Sequence, residues 1–324
     1  MNIDLSKLNK QLICVTIGDI KGIGIHILLK EFKKGKINNF VLITNVKIFN
    51  KYIKFPINKI NIINEKNFNK FNKKKLNIYN YITKNQNTNT LDALKYAYEL
   101  TKKKKIIGVL TLPLNKNKIN KSVNKNFIDQ TSFFSNSDNQ KNSNMIFFHN
   151  GKFFTPLTIH IELKKVHELF KNTNSMVKKI ENLYSTLIKD FNIKQPKMIL
   201  AGINPHAGEQ NTISKDDNKY LMPIIKKLNK KDIFIDGPVS GDGIINNTNL
   251  NKYDVFIFTY HDQALIPFKI LSNYEGVNYT SNLDIIRVSP SHGTAENLIG
   301  SNKVISKGII NCFNLIKKIK NNRN

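Results

Sequence analysis

The chain contains very little cysteine: Cys14 and Cys312 are the only two among 324 residues, and both lie in apolar stretches. Two cysteines cannot build a disulfide framework or a cysteine-ligated zinc finger, and such scarcity is typical of proteins in a reducing compartment. Long apolar runs are also missing, and Met1–Lys10 is polar and lacks the apolar centre of a secretory signal. We therefore expect a soluble, cytoplasmic protein without a membrane partner.

Arginine is the second scarce residue, because Arg287 and Arg323 stand beside 49 lysines. The formal net charge of +28 would by itself suggest nucleic-acid binding. Nucleic-acid readers, however, favour arginine for bidentate and stacking contacts. Here the lysines are scattered with Asn and Ile over the whole chain, as drift toward AT-rich codons would produce. We predict no nucleic-acid partner, and a basic nucleic-acid binder is kept as a minor alternative.

Arg287 is informative because almost every other basic position in the chain is lysine. A guanidinium is a planar fork that grips a carboxylate or phosphate through two parallel hydrogen bonds, and lysine cannot reproduce that geometry. The sequence therefore predicts an anion-binding role for Arg287, with chance retention as the alternative.

Short apolar segments alternate with amphipathic helical patterns along the chain. Segments such as LICVTIG, KMILAG and YDVFIFTY read as buried strands, and polar loops follow them. The alternation predicts an α/β fold with a largely parallel sheet, in which ligands bind outside the carboxyl ends of the strands. We predict a helix over NTLDALKYAYELTKKK with Thr90 as its cap. The polar stretches NKFNKKKLNIYNY and SNSDNQKNSNM are predicted to be loops or an exposed edge.

Three of the seven histidines follow apolar segments at predicted strand ends: His160, His206 and His261. Each has an acidic residue within the next three positions. Three neutral imidazoles that converge from three loops would form a divalent-metal site with open positions for water or substrate. Spacing alone leaves their convergence open, and each histidine taken singly is better explained as a hydrogen-bonded structural residue. The turn from Gly18 to Gly24 carries neither the dinucleotide nor the P-loop glycine pattern.

Several segments occur in the order and spacing of one enzyme family. The segments are NPHAGE, YHDQ, IPFK, EGVN and HGTA, preceded by TLPLNK and an opening VTIGDIKGIG. They resemble signature segments of the 4-hydroxythreonine-4-phosphate dehydrogenases of the pyridoxal phosphate pathway. The resemblance runs from near the N-terminus to about Gly300. One such segment is a weak signal, whereas five in the right order are specific.

The resemblance implies a metal site and acidic groups beside it. The family's metal-binding histidines match His160, His206 and His261, which implies one divalent ion (Zn, Mg or Co) per active site. Asp242 and Asp262 match acidic residues near the reacting centre. In the family the metal site lies at a homodimer interface and is shared between the subunits, so the resemblance also implies a homodimer.

The family's substrate-binding lysine, asparagine and arginine match Lys269, Asn278 and Arg287, and Lys269 also belongs to the implied catalytic set. Two cations and an amide suit a small substrate that carries phosphate and carboxylate groups. The implied cofactor is NAD or NADP.

One segment departs from the family pattern. Where the family has Gly-His-Thr-Glu, this chain has FIDQTSFF, so Thr131 is kept while Gln130 and Ser132 replace the histidine and the glutamate. Glutamine donates and accepts hydrogen bonds but cannot carry a proton near neutral pH. We expect Gln130 and Thr131 to bind substrate, with the substitution bearing on substrate identity.

The resemblance implies the fold of the isocitrate and isopropylmalate dehydrogenases, with two α/β domains, mostly parallel sheets and an inter-domain cleft. We predict a first domain of residues 1–125 plus 284–324, and a second of residues 126–283 that holds the metal site and the dimer contact. The implied reaction is NAD-linked oxidative decarboxylation of 4-phosphooxy-L-threonine. A sibling dehydrogenase for threonate or erythronate 4-phosphate and a catalytically decayed homologue are the alternatives.

Overall fold

The computed structural model describes residues 12–123, 126–140, 142–301 and 305–324. The segment Met1–Lys10, on which the prediction about a secretory signal rests, lies outside these residues. The chain divides into two compact units. Unit 1 comprises the residues up to Asn139, Leu283–Asn322 and Asn324, and unit 2 comprises Gln140–Asn282 with Arg323. Residues 126–139, which the predicted boundaries placed in the second domain, thus group with unit 1.

The strands are, in chain order, β1 (Ile13–Thr16), β2 (Phe40–Ile43), β3 (Ile60–Ile63), β4 (Leu76–Tyr79), β5 (Gly108–Thr111), β6 (Met145–His149), β7 (Lys152–Thr158), β8 (Met198–Ala201), β9 (Ile235–Val239), β10 (Val255–Tyr260), β11 (Val277–Thr280) and β12 (Arg287–Pro290). The α-helices are α1 (Ile23–Lys33), α2 (Val46–Tyr52), α3 (Gln86–Lys102), α4 (Lys116–Ser122), α5 (Gln130–Ser137), α6 (Val166–Phe170), α7 (Thr173–Phe191), α8 (Met222–Asn229), α9 (Asn247–Lys252), α10 (His261–Ser272) and α11 (Lys307–Asn322).

Unit 1 is built on six parallel strands in the order β3-β4-β2-β1-β5-β12. The strands β1, β2 and β5 are buried along their whole length, which explains why they read as continuous apolar runs rather than as alternating ones. Helix α3 packs against β1, β2 and β5, and α11 packs against β5 and β12. The parallel α/β arrangement predicted from the alternating pattern is confirmed in this unit.

Unit 2 has the strand order β11-β6-β7-β10-β8-β9. The strands β7, β10, β8 and β9 are parallel neighbours, whereas β6 runs antiparallel to both β7 and β11. Helix α10 packs against β7 and β10, and α8 packs against α7 and β9. Because β7, β10, β8 and β9 point the same way, the loops after them collect at one edge of the sheet.

Two local predictions are wrong. The stretch predicted as a loop or exposed edge contains β4, which is fully buried between β3 and β2. Its polar Asn77 accepts a hydrogen bond from Asn61 Nδ2 at 2.7 Å and donates to the Asn72 carbonyl at 2.9 Å, so a polar side chain is satisfied inside the sheet. Helix α3 is capped by Asn85 rather than by Thr90, whose hydroxyl donates to the Gly18 carbonyl at 2.9 Å.

Within the described ranges, no helix has both the length and the apolar character needed to cross a membrane.

Candidate active site

The carboxyl ends of four neighbouring strands in unit 2 carry the three predicted metal ligands and the predicted catalytic Asp242. His160 follows β7, His206 lies in the turn after β8, and His261 begins α10 directly after β10. Asp242 follows β9. The parallel order β7-β10-β8-β9 therefore brings side chains that are far apart in sequence to one edge of the sheet, as the strand-end pattern predicted.

His160 and His261 lie side by side, with their ring centroids 5.5 Å apart. This separation allows both imidazoles to reach one ion, because each nitrogen ligand lies about 2 Å from a bound zinc. His261 is partly exposed, and its Nδ1 lies 2.6 Å from Asp262 Oδ1. A carboxylate on one ring nitrogen fixes the tautomer and leaves the other nitrogen available for a metal.

His206 belongs to a turn with unusual backbone geometry. Six consecutive residues, from His206 to Asn211, have positive φ values between 43° and 80°. His160 also has a positive φ, of 53°. Left-handed backbone is unfavourable for residues other than glycine and concentrates at functional sites. Two of the three predicted ligands thus sit on backbone that the surrounding structure must hold in place.

Asp242 is an exposed carboxylate that accepts a hydrogen bond from the Ser240 hydroxyl. This bond lowers the pKa of Asp242, and the charge of a protonated His206 acts in the same direction. Asp242 therefore stays ionised at neutral pH.

Gln263 ties two of the strand ends together, a role that its place in YHDQ did not reveal. Its Oε1 accepts from the Thr259 backbone N–H at 2.9 Å, and its Nε2 donates to the Gly202 carbonyl at 3.0 Å. The side chain thus links the end of β10 to the end of β8 and fixes the spacing of the loops that carry His261 and His206.

Within the described ranges of a single chain, no three His, Cys, Asp or Glu side chains lie close enough together to bind one metal ion. The three predicted ligands therefore do not form a complete metal site in one chain. The pair His160–His261 supplies two donors of the chemical type that zinc and cobalt accept. The predicted assignment of His206 to the same ion is not tested by the single chain.

Lys269 and Asn278 lie elsewhere in unit 2. Lys269 is exposed in the last turn of α10, and Asn278 is the second residue of β11. The Asn278 Oδ1 atom is buried and accepts no hydrogen bond from the described residues. A buried acceptor without a partner lowers the stability of the fold, and a hydrogen bond from a ligand would remove this cost.

In unit 1, Arg287 is the centre of a buried polar cluster. It begins β12, is 2% exposed, and its guanidinium extends to Thr111 at the carboxyl end of β5, where Nη2 and Oγ1 are 2.7 Å apart. Nη1 donates to the Thr131 hydroxyl at 3.2 Å, and Nη2 also donates to Gln130 Oε1 at 2.8 Å. Burial lowers the pKa of Arg287 to about 10, so the group is still charged at neutral pH.

Gln130 is held at both ends of its amide. Its Nε2 donates to the Leu112 carbonyl at 3.0 Å, while its Oε1 accepts from Arg287. Asp129 caps α5 by accepting from the Ser132 backbone N–H at 2.7 Å, which places Gln130 and Thr131 in the first turn. The structure therefore brings Gln130, Thr131 and Arg287 together, as a shared role in binding requires.

Comparison with known proteins identifies the family. The family model described as "Pyridoxal phosphate biosynthetic protein PdxA" matches residues 36–316 of this chain. The chain belongs to the PdxA family. A 4-hydroxythreonine-4-phosphate dehydrogenase of Aquifex aeolicus is 33% identical over 214 residues, which cover 66% of this chain and 65% of that protein. One of Bacteroides thetaiotaomicron is 32% identical over 212 residues, which cover 65% of this chain and 57% of that protein. The match thus spans less than two thirds of the length of both relatives.

Solved PdxA structures share the fold. A 4-hydroxythreonine-4-phosphate dehydrogenase of Klebsiella pneumoniae superposes with a TM-score of 0.81 at 22% identity, over 96% of this chain and 98% of that one. The structure of a putative 4-hydroxythreonine-4-phosphate dehydrogenase of Salmonella typhimurium superposes with a TM-score of 0.79 at 23% identity, over 95% of this chain and 99% of that one. The predicted isocitrate/isopropylmalate dehydrogenase-like fold is confirmed, as is the predicted resemblance to this family.

Proposed function

We propose that the protein is a metal-dependent, NAD- or NADP-linked dehydrogenase that oxidises and decarboxylates 4-phosphooxy-L-threonine to 3-amino-2-oxopropyl phosphate. The observation that carries the proposal is the strand-end arrangement in unit 2. There His160 and His261 lie together, with His206 and Asp242 on the adjoining strand ends, in a chain that belongs to the PdxA family.

His160, His206 and His261 would hold one divalent ion, and a second copy of the chain would complete the donor set. The family resemblance supports a shared site, and the described part of one chain supplies no complete group of three donors. When bound, the ion supplies a Lewis acid that lowers the pKa of the substrate hydroxyl. Asp262 orients the His261 ring, and Asp242, ionised beside His206, can accept a proton.

Binding of the substrate is assigned to Gln130, Thr131, Lys269, Asn278 and Arg287. Support comes from the guanidinium of Arg287, whose charge is held in place by the hydroxyls of Thr111 and Thr131 and by the amide oxygen of Gln130. The buried Oδ1 of Asn278 is an acceptor, so it suits a hydroxyl or ammonium donor of the same substrate rather than its anionic groups. A preorganised guanidinium binds a carboxylate or phosphate with little loss of side-chain entropy.

The carboxyl edge of the sheet in unit 1 has the chemistry to hold the nicotinamide cofactor. Thr16 Oγ1 ends β1, and Ser291 Oγ and His292 Nε2 follow β12; all three are buried atoms without a partner among the described residues. Dinucleotides bind at this edge of parallel sheets, and their ribose, amide and phosphate groups satisfy such atoms. We assign the cofactor-facing role to Ser291 and His292, which are partly exposed, and not to Thr16, which is 0% exposed.

We also propose that the protein is a homodimer. Ile266 and Ile270 stand four residues apart on α10 and are 62% and 75% exposed, on the helix that begins with His261. Residues at this spacing share one helix face. An apolar face on the helix of a candidate metal ligand supports an interface at which a second copy contributes to the site.

A second candidate function is the oxidation of threonate or erythronate 4-phosphate. The observation in its favour is Gln130, which stands where the family has histidine and whose amide is already engaged by Leu112 and Arg287. These substrates carry a hydroxyl group where 4-phosphooxy-L-threonine carries an amino group, so the hydrogen bonds required of the residue at position 130 differ. The catalytically decayed homologue is the remaining alternative.

A metal-dependent assay tests the proposal. Chelator-dialysed protein, resupplied with Zn²⁺, Mg²⁺ or Co²⁺, is expected to form NADH with 4-phosphooxy-L-threonine, faster than with threonate or erythronate 4-phosphate. His206→Ala should lower metal content and activity together, whereas His167→Ala, a histidine of α6 in the same unit, should change neither. Full activity in the metal-free protein contradicts the metal assignment. A preference for a sugar-acid phosphate supports the sibling enzyme, and metal binding without any turnover supports the decayed homologue.

A further inference from the structure

Asp217 is a buried carboxylate next to the turn that carries His206. It is 1% exposed and opens a π-helical turn, Asp217–Leu221. Its Oδ1 accepts from the Ile203 backbone N–H at 2.7 Å, and its Oδ2 accepts from Asn204 Nδ2 at 2.9 Å and from the Asn204 backbone N–H at 3.4 Å. All of these donors belong to the two residues that precede Pro205 and His206. The carboxylate therefore fixes the entry of the chain into the left-handed turn.

The turn needs such an anchor because its backbone is costly. Left-handed conformation costs roughly 1–2 kcal/mol for each residue other than glycine, and His206, Ala207, Glu209, Gln210 and Asn211 all adopt it. A π-helical turn is itself rare and is found mainly at functional sites. Strain of this size persists only where the surrounding structure enforces it.

The strand end and the turn both pack closely against Asp217. A Cβ atom on Gly202, at the end of β8, would lie 2.7 Å from Asp217 Oδ1. A Cβ atom on Gly208, in the middle of the turn, would clash with the Ser214 carbonyl oxygen and would lie 3.3 Å from Asp217 Oδ2. The carboxylate thus occupies a close-fitting space between the strand end and the turn.

We propose that Asp217 is a positioning residue for the metal site: it holds the left-handed turn and thereby the orientation of His206. The part of this inference that concerns metal binding rests on the proposed function. The part that concerns the turn rests only on the contacts of Asp217 described above. Asp217 acts through the backbone of Ile203 and Asn204, not as a ligand.

Asp217→Asn is the informative substitution because it keeps the size of the side chain. An ionised carboxylate offers acceptors on both oxygens, whereas an amide offers one oxygen and an NH₂ group. In the variant, the NH₂ group faces the N–H donors of Ile203 or Asn204, and at least one of their hydrogen bonds is lost. We expect amide hydrogens of residues 203–213 to exchange about tenfold faster or more, with unchanged exchange in the strands β7 and β10.

The second readout is the affinity for Zn²⁺, measured by competition with a chromogenic chelator. We expect a loss of about 10- to 100-fold in Asp217→Asn, the range found when a group that supports a metal ligand is removed. Asp190→Asn is the matched control, since Asp190 is also a buried carboxylate of unit 2, paired with Arg323 and Tyr279. The control should lower the melting temperature but leave both the exchange of residues 203–213 and the Zn²⁺ affinity at the parent level.

A milder variant guards against a failure to fold. Asn204→Ala removes only the side-chain donor to Asp217 Oδ2, and it should give the same two effects at a few-fold size. Parent-like exchange in folded Asp217→Asn and Asn204→Ala would overturn the proposal, as would faster exchange with parent-like Zn²⁺ affinity. If the parent itself binds no Zn²⁺, the part that concerns metal binding fails together with the proposed function, and the exchange data alone decide whether Asp217 holds the turn.

Discussion

Arg287 and Arg323 are the two positions at which this lysine-rich chain has a guanidinium, and each is used in a different way. Arg323 forms a bidentate ion pair with Asp190, at 2.6 and 3.0 Å, and also donates to the Tyr279 hydroxyl at 3.0 Å. Arg287 contacts hydroxyl and amide oxygens at the candidate site. Both places need the fork of arginine, but only Arg287 is assigned to the substrate.

Arg287→Lys should therefore raise the KM for the phosphorylated substrate. Losing a hydrogen bond to a charged group costs roughly 1.5–3 kcal/mol, or about 10- to 150-fold. The lysine ammonium cannot contact Thr111, Thr131 and Gln130 at once, whereas the KM for NAD should change little. Steady-state kinetics on both substrates provide the measurement.

Arg323→Lys is the control for the same chemical change. It should lower the melting temperature, because the Asp190 carboxylate loses its bidentate partner, and it should leave the substrate KM unchanged. A parent-like KM in Arg287→Lys would assign Arg287 a purely structural role.

Gln130→His should introduce a pH dependence that the parent lacks. A neutral imidazole can reproduce the present contacts, with one nitrogen donating to the Leu112 carbonyl and the other accepting from Arg287. A protonated imidazole would present a donor to the guanidinium, so the substitution should lower kcat/KM as the pH falls below about 6.5. At neutral pH we expect kcat/KM for 4-phosphooxy-L-threonine to exceed that of the parent.

The measurement compares pH profiles of both proteins on 4-phosphooxy-L-threonine and on threonate 4-phosphate. Superimposable profiles would show that this position is not coupled to the reaction. If the parent prefers threonate 4-phosphate and the variant loses activity on 4-phosphooxy-L-threonine, Gln130 selects the substrate and the sibling enzyme is the better assignment.

At the scale of elements, the sequence predicted the strands whose apolar runs end in a change to polar residues. β8 and β10 are of this kind, and so His206 and His261 could be placed at strand ends. β4 was missed because lysines precede it and Asn77 interrupts its apolar pattern, although the strand is buried. The role of Asp217 could not be predicted from the sequence, because the residue lies in the polar stretch SKDDNKY. Only the folded chain buries it against the turn that carries His206. The contact of Arg287 with Thr111 likewise depends on the pairing of β12 with β5.

Helix α7 carries a partly buried lysine, and this should be visible in the pH dependence of stability. Lys179 donates to the Leu157 carbonyl at 2.6 Å, and burial lowers its pKa from 10.5 to about 8. Between these values the unfolded chain binds the proton and the folded chain does not, so this group makes stability rise with pH. The rise amounts to about 3 kcal/mol when converted at 1.36 kcal/mol per pKa unit.

Lys179→Met should therefore have a higher free energy of unfolding than the parent. This difference should be largest at pH 7–8 and should shrink toward pH 10.5. Urea unfolding at several pH values measures it. The control is Lys178→Met on the same helix, since the Lys178 side chain is 61% exposed. A difference between Lys179→Met and the parent that does not vary with pH would contradict the lowered pKa.

At the scale of the whole molecule, the proposed homodimer predicts that a charge at one exposed position weakens self-association, whereas a charge at another position of equal exposure does not. Ile270→Glu on α10 should shift the protein toward monomers, because it places a charge in the proposed interface. Ile57→Glu in unit 1 is the matched control, as Ile57 and Ile270 are both 75% exposed. Sedimentation velocity at several concentrations gives the measurement, and metal content should fall with the dimer. A parent that sediments as a monomer, or an Ile270→Glu variant that associates like the parent, would rule out this interface.

The burial of both arginines makes the chain suitable for chemical footprinting. Phenylglyoxal modifies guanidinium groups, and here it has only two targets, with Arg287 2% exposed and the Arg323 side chain 12% exposed. The native protein should therefore gain almost no adducts, while lysine-directed acylation covers its surface. Arg287 belongs to unit 1 and Arg323 groups with unit 2. During denaturation, the mass of each arginine-containing peptide would thus report separately when its own unit opens.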